Sequence, residues 1–296
     1  MNEPLSVERL APAPRFIPPL LQWQLLLASP ASQIGWVILG FGSIFIWGFL
    51  PHADFSGPRF RPRETAEVRG ESLDCRTTRF TEGGSKTRRG TPIYENRYRY
   101  TIGVKTYESS SYAKGQCLAG GPVRVEYLIR QPDFSRVAGM RRKPLSPASS
   151  LIALFPATGL AMILAGVWKG RRSIRLLRNG SPAVARFLKK EPTRTRVNNR
   201  LVYRMTFEYT AQNGMLGNAV LRSNRPERLE KKPGTLLLYA PENLNDVVFV
   251  DTLPGRIWLA EAGQPAPGGS LAYLILPALA ILGNLWYASH FLSGPR

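Results

Sequence analysis

Three stretches of this chain contain no Asp, Glu, Lys or Arg: Phe16 to Ala53, Pro144 to Trp168 and Ala262 to Pro295. Each can supply the roughly 20 apolar residues that a helix needs to cross about 30 Å of hydrocarbon. A soluble domain rarely tolerates three such gaps, because its surface spreads charge over every element. The gaps lie before, between and after two charged blocks, and the blocks echo one another. Tyr98-Arg99-Tyr100-Thr101 is answered by Phe207-Glu208-Tyr209-Thr210, and Val123-Arg124-Val125-Glu126-Tyr127 by Leu236-Leu237-Leu238-Tyr239. The offsets are 109 and 112 residues, which one small loop insertion reconciles.

The expected fold class is integral membrane α+β, with three transmembrane helices and two small antiparallel β modules, each a curled sheet or barrel-like. The expected divisions are an N-terminal Pro-rich and interfacial segment (1–33), helix 1 (34–51), β module 1 (52–147), helix 2 (148–168), β module 2 with a leading helix (169–269) and helix 3 (270–292). Leu20 to Ser29 is too short to span, and Pro30 is expected to end it. With Trp23 at headgroup level it reads as an interfacial helix. Ile34 to Leu50 has Trp36 and Trp47 near its ends and carries Gly35, Gly40, Gly42 and Gly48, small residues that allow close helix contact. Pro156 inside the second span is expected to kink it. Asn179-Gly180 is a helix stop, with Gly180 able to take the left-handed conformation.

The modules read as β from period-2 alternation. In the first, Tyr94, Tyr98, Tyr100 and Ile102 share one face and Arg97 and Arg99 the other, so the tyrosines are core and not a stacking platform for nucleic acid. In the second, Tyr203, Met205, Phe207 and Tyr209 alternate with Val202, Arg204, Thr206 and Glu208. Asn198-Asn199 is a turn and Asn213-Gly214 the strongest hairpin signal.

Both blocks are basic. Residues 52–147 hold 19 Lys/Arg against 10 Asp/Glu, and residues 169–269 hold 18 against 8. That suits the lipid bilayer and its anionic headgroups as a partner; a plain solvated face would look the same. No nucleic-acid partner is expected, and an unidentified protein partner is. The two cysteines, Cys75 and Cys117, fall in one module. They would form a disulfide in an oxidising compartment or remain two unrelated buried thiols, since spacing alone does not set their separation.

Parity gives orientation. If the middle segment crosses, the modules face opposite sides of the membrane, as in an inverted repeat. Lys169, Arg171, Arg172, Arg175 and Arg178 after the second span point module 2 to the cytoplasm, and the cysteines point module 1 outward. The expected location is the cell inner membrane, multi-pass, with module 1 extracytoplasmic and module 2 cytoplasmic. A re-entrant middle segment would instead put both modules on one side.

No catalytic constellation is legible. His52 and His290 sit at predicted membrane edges; two His and two Cys so dispersed do not suggest zinc. No nucleophile elbow, phosphate loop or helical zinc motif occurs. Glu67, Glu71, Asp74 and Glu82 are interleaved with arginines and read as surface ion pairs. No cofactor is expected.

Gly180-Ser181-Pro182-Ala183-Val184 after a membrane helix, a Tyr-rich strand, and Tyr239-x-Pro241-x-Asn243 leading on to the next helix resemble the bacterial membrane proteins of the domain of unknown function 3592 family. In the first copy Val123-x-Val125-x-Tyr127 and Pro132 match, with Ile129 for the middle proline; in the second, Leu244 stands where a proline is usual. The resemblance covers roughly residues 36–290. It implies a membrane-anchored β module and brings no reaction with it. The expected role is non-enzymatic, the duplicated modules serving protein–protein or envelope interaction; the alternatives are an accessory subunit of a transport or envelope-stress system, or an enzyme with a site at the membrane edge.

Overall fold

The computed structural model describes residues 10–85, 87, 89–230, 234–255, 257–259, 263–268 and 270–293. Helices α1 (Pro19–Leu27) and α2 (Pro30–Phe49) precede strands β1 (Thr65–Glu82), β2 (Thr91–Ile102), β3 (Lys105–Lys114), β4 (Pro122–Leu128) and β5 (Gln131–Val137). Helix α3 (Leu154–Asn179) leads to β6 (Ser181–Val197), β7 (Arg200–Thr210), β8 (Leu216–Ser223), the single turn α4 (Glu227–Glu230), β9 (Thr235–Ala240) and β10 (Asn243–Phe249). A small hairpin, β11 (Ile257–Leu259) and β12 (Pro265–Pro267), precedes α5 (Ile275–Ser293). By contact the chain divides into Met1–Gly40 with Ala157–Arg296, and Phe41–Pro156.

Three helical segments, Pro30–His52, Pro147–Asn179 and Leu271–His290, are long and apolar enough to cross a membrane. Their large side chains mostly point outward, among them Ile34, Val37, Phe41 and Ile44 of α2, Leu160 and Leu164 of α3, and Leu279, Leu282 and Leu285 of α5. In water this exposed apolar surface would be costly. α1 stops at Leu27, short of Pro30 as expected, and Pro30 then opens α2. One proline expectation is corrected: Pro156 does not kink α3 but sits in its first turn, after a 3₁₀ stretch over Pro147–Ala153. In both places the missing N–H would have had no helical partner.

Glycines set how closely the helices approach. A Cβ on Gly159 would lie 2.6 Å from the Leu39 nitrogen and 2.7 Å from the Gly35 oxygen, both backbone atoms. A Cβ on Gly166 would meet the side chains of Ser32 and Ser29 at 2.9 and 3.0 Å, and one on Gly170 would meet the backbone of Leu25 and Leu26. The seam thus runs along α3 at positions 159, 166 and 170 and includes Gly35, one of the four α2 glycines singled out in the sequence. Gly40 instead faces Ala280 of α5 and Gly42 faces Phe155 and Pro156.

The two sheets have one topology. Module 1 is ordered β3-β2-β1-β4-β5 and module 2 is ordered β8-β7-β6-β9-β10, all antiparallel. The long first strand is central in each, with a hairpin on either side. β1 loses register between Ser72 and Asp74 and again between Thr77 and Thr81. β6 does so between Phe187 and Lys189 and between Pro192 and Arg196. Both bulges therefore match at one offset of 115 residues. The second is tied identically: Thr78 Oγ1 donates to the Ile93 carbonyl (2.8 Å) and accepts from the Phe80 N–H. Thr193 Oγ1 likewise donates to the Val202 carbonyl (2.6 Å) and accepts from the Thr195 N–H. The last hairpins share a third irregularity, Tyr127/Leu128 against Tyr239/Ala240, at the 112-residue offset.

Bulges bend a strand, and here they curl each sheet. In module 1 the two edges meet: Val137 N donates to Ser111 Oγ (2.8 Å), and Tyr112 and Arg141 exchange backbone hydrogen bonds of 2.7 and 3.0 Å. The enclosed core holds Tyr98, Tyr100, Val125 and Val137 in module 1, and Met205, Phe207, Tyr209, Leu237 and Phe249 in module 2. Tyr94 is only half-buried, and its neighbour Ile93 takes the buried place. Asn198 (φ 50°) and Asn199 (φ 62°) make the two-residue turn between β6 and β7, a conformation that asparagine accepts.

The N-terminal segment belongs to the core of the unit that holds module 2. Ile17, Leu21 and Leu25 are fully buried against Leu176, Leu177, Leu238 and Leu253, each side chain contributing about 1.5–3 kcal/mol. Arg15, 3% exposed, donates to the carbonyls of Ala11, Leu177 and Gly180 at 2.6, 3.0 and 2.9 Å. A cation there satisfies the open end of α3 and complements its dipole. The left-handed stop expected at Gly180 is not what forms: Gly180 is absent from the positive-φ residues. It is glycine because a Cβ would stand 2.4 Å from the Leu176 oxygen.

Gly159→Leu should separate α2 from α3 and lower the stability of the detergent-solubilised chain by about 1–3 kcal/mol. Gly48→Ala, where a Cβ meets nothing within 4 Å, should leave thermal unfolding unchanged.

Candidate functional site

The residues of the family-like motif serve the curled sheets. Tyr100 and Tyr209 occupy equivalent positions on the second strands. Tyr100 donates its hydroxyl to the carbonyl of Pro132, and Tyr209 to that of Leu244 at 2.6 Å. These clasps fasten the second strand to the fifth. Burial pushes both phenols up, so they stay protonated donors. Tyr127 stacks on Tyr100 at 6.3 Å, and Tyr239 packs on Tyr209 at 5.2 Å while its hydroxyl accepts the Gln212 N–H at 2.8 Å. Since the clasp uses a backbone carbonyl, the side chain above it is free to differ, and proline in one copy can be leucine in the other. Asn243 Oδ1 accepts the Asn245 N–H (3.0 Å) at the start of β10.

A second tie joins the first strand of each module to the connection after its third strand. In module 1 it is a disulfide between Cys75 and Cys117, with Cα atoms 5.6 Å apart. Buried Asn96 steadies that connection, accepting the Leu118 N–H at 2.6 Å and donating to the Gln116 carbonyl at 3.2 Å. At the 115-residue offset Cys75 corresponds to Lys190, and Lys190 Nζ lies 2.8 Å from Glu230 Oε1 of α4. The same place is thus held covalently in one copy and by an ion pair in the other. Sequence reasoning missed this because Glu230 lies outside the echoed strands.

Pro241 and Asn243 also line a cleft of about 370 Å³ with Arg175, Asn179 and Asp246. Asp246 accepts from Arg172 Nε at 2.5 Å and from Arg175, stapling the end of α3 to β10. Trp168, Arg171, Arg172 and Arg175 line a neighbouring cleft of about 450 Å³. Tyr127 and Pro132 are not brought to either cleft. His52 Nε2 stands 3.3 Å from Arg79, and His290 stacks on Trp286 at 5.8 Å. Among the described residues no three His, Cys, Asp or Glu gather as they would around a metal ion.

The carboxylates of module 1 serve its framework. Glu67 faces Arg124 at 3.7 Å, and Asp74 faces Arg76 and Arg97 at 3.3 and 3.8 Å. Glu82 takes a two-pronged contact from Arg141 at 2.6 and 3.2 Å and the Ser146 N–H at 3.2 Å. The Arg141 hydrogen bond holds its carboxyl below the ordinary range. Asp54, 4% exposed, accepts the N–H groups of Ser56 (2.8 Å) and Arg142 (2.7 Å). Burial opposes its ionisation, but hydrogen bonds from Ser56 and the backbone outweigh burial and its pKa too is lowered. Burial and the neighbouring Glu95 push Tyr112 up to about 12.

No family model matches the sequence, and no curated protein matches it. Among solved structures, one of a replication protein A heterotrimer bound to ssDNA is similar over 79% of this chain at 6% identity, with a TM-score of 0.17. The chain spans 55% of that protein's chain.

Glu82 and Asp54 have folded-state pKa values below their ordinary 4.5 and 3.8. Their stabilisation is complete above those values and is lost as pH falls through the lower folded ones. Thermal unfolding in micelles from pH 7 to 3 should therefore steepen below about pH 4.5 in the wild type. Glu82→Gln with Asp54→Asn should lose about 1–3 kcal/mol at pH 7 and show a flatter acid limb.

Proposed function

We propose that the chain is a non-enzymatic integral membrane protein whose duplicated β modules are interaction surfaces for protein partners or the envelope, one module on each side of the bilayer. The observation that carries this reading is the exchanged tie, a disulfide in module 1 and an ion pair in module 2. A disulfide persists where the compartment is oxidising, whereas an ion pair has no redox requirement. Two copies of one framework adapted to opposite compartments would differ in just this way.

The packing of residues 10–27 supports the same topology. Residues Ile17, Leu21 and Leu25 lie in one core with Leu238 of module 2, so the segment before α2 and the module after α3 share a side. If α2 crosses, α3 has to cross as well, which disfavours the re-entrant alternative. The opposite face of α1 exposes Phe16, Leu20 and Trp23, an apolar surface suited to lying in the headgroup region above the acyl chains. Arg171, Arg172 and Arg175 at the end of the second span favour the cytoplasm for module 2. Membership of the domain of unknown function 3592 family is part of this reading; its support is the Tyr239-x-Pro241-x-Asn243 turn and the helix-then-module order. The framework roles of the titratable residues favour binding over chemistry.

In right-side-out vesicles under reducing agent, a membrane-impermeant maleimide should label Cys75 and Cys117, and should not label a cysteine introduced at exposed Arg200. Labelling of Arg200→Cys alone would reverse the orientation, and labelling at both places would return both modules to one face. Carbonate washing should leave the protein in the membrane fraction.

A further inference from the structure

The strongest unassigned feature lies where module 1 meets its two helices. The segment leaving α2 and the segment approaching α3 are zipped together: Asp54 N donates to the Leu145 carbonyl (2.9 Å), Leu145 N to His52 (3.0 Å), and Lys143 Nζ to Pro51 (2.8 Å). Beside this zipper is a cleft of about 310 Å³ lined by Asp54, Phe55, Arg59, Phe134, Arg142 and Lys143. Its volume is that of a small-molecule site. The first candidate span ends at His52 and the second begins at Pro147, so residues 53–59 and 142–143 stand within a few residues of both span ends.

The charge of this cleft is not balanced from within. Among the described residues Asp54 is the sole carboxylate lining it, and its oxygens accept the backbone N–H groups of Ser56 and Arg142. Among the described residues Arg59, Arg142 and Lys143 form no ion pair, unlike Arg136 and Arg141 nearby, which face Glu126 and Glu82. The Arg142 guanidinium lies 3.5 Å from the Phe134 ring centre with its Nε donating to the Ser135 carbonyl at 3.0 Å, and Arg59 approaches the same ring at 5.3 Å. Stacking fixes the plane of a guanidinium while leaving its other N–H groups available, and guanidinium matches a phosphate in two-point geometry. Phe55, 53% exposed, adds an apolar wall. Module 2 lacks the set: at the 112-residue offset Arg142 and Lys143 become Pro254 and Gly255.

From these observations we infer that the cleft binds the phosphodiester headgroup of an anionic phospholipid, with Arg59, Arg142 and Lys143 as its ligands and Phe55 beside the glycerol end. A soluble phosphate offers the same anion, but the cleft's place at both span ends and its exposed phenylalanine favour the lipid. The inference rests on the membrane reading above. Carbonate release of the protein would defeat that reading; retention with unaltered lipid binding would defeat this inference alone.

The test is binding of phosphatidylglycerol to the full chain in mild detergent, read by native mass spectrometry against phosphatidylcholine. Arg59→Gln with Lys143→Gln, both exposed side chains, should weaken phosphatidylglycerol binding at least tenfold and leave phosphatidylcholine binding unchanged. Arg97→Gln, on the β2 surface beside Asp74 and Glu108, should bind as the wild type does. Arg142→Gln should reproduce the loss, with an intact Cys75–Cys117 bond and unchanged melting as evidence of folding. Unchanged binding in the double variant, or an equal loss in Arg97→Gln, would overturn the site. Displacement of the lipid by millimolar inorganic phosphate would overturn the lipid as its occupant.

Discussion

Each module depends on the backbone pairing of its first strand. β1 and β6 are the strands through which both hairpins of a sheet are joined, so the curvature of that strand becomes the curvature of the module. Two bulges set it, and in each copy a threonine pins the second bulge by donating to the neighbouring strand and accepting from its own. An extra residue in a ladder leaves backbone groups unpaired; Thr78 and Thr193 supply the missing partner. Without the bend the edges of module 1 would not meet, and Tyr98 and Tyr100 would sit on an open face.

Given that frame, the copies differ where a side chain is not required by the frame. Tyr100 and Tyr209 keep their role because a buried phenol needs an acceptor, yet that acceptor is a carbonyl and leaves positions 132 and 244 unconstrained. The tie after the third strand is kept while its chemistry changes from disulfide to ion pair. Both substitutions preserve a distance and not a residue type, which is how two modules can share a skeleton and present different surfaces. Arg59, Arg142 and Lys143, which form no ion pair among the described residues, belong to module 1 alone, so the two copies share a scaffold and differ in the groups they present.

Much of this architecture was legible in the sequence. Charge-free stretches mark helices because hydrocarbon excludes charge, and the alternation of Tyr98 to Tyr100 and of Met205 to Tyr209 marks buried strand faces because the side-chain period of a strand is two. The length of β6 was not legible past Leu188, since Lys189 to Val197 is polar on both faces and has no buried side to impose a pattern. Nor were β5 and the start of β10, where a tight register shift hides the alternation. Pro156 misled because a proline breaks a helix only in its interior, and Pro156 stands in a first turn. Tyr100 and Tyr209 were visible as part of the echoed strands, but their role as clasps was not, because the partner of each is a backbone carbonyl that no side chain advertises.

The sequence by itself determined which segments are apolar enough to span, that two blocks repeat, and which strand faces are inward, since all of these follow from local composition and period. Only the tertiary structure decided that residues 10–27 share a core with module 2, that Cys75 and Cys117 are within bonding distance, that Lys190 with Glu230 stands in for them, and that Arg59, Arg142 and Lys143 gather beside Phe134. Those pairings join residues dozens to more than two hundred positions apart, and local preference carries no information about which distant groups a curled sheet will bring together.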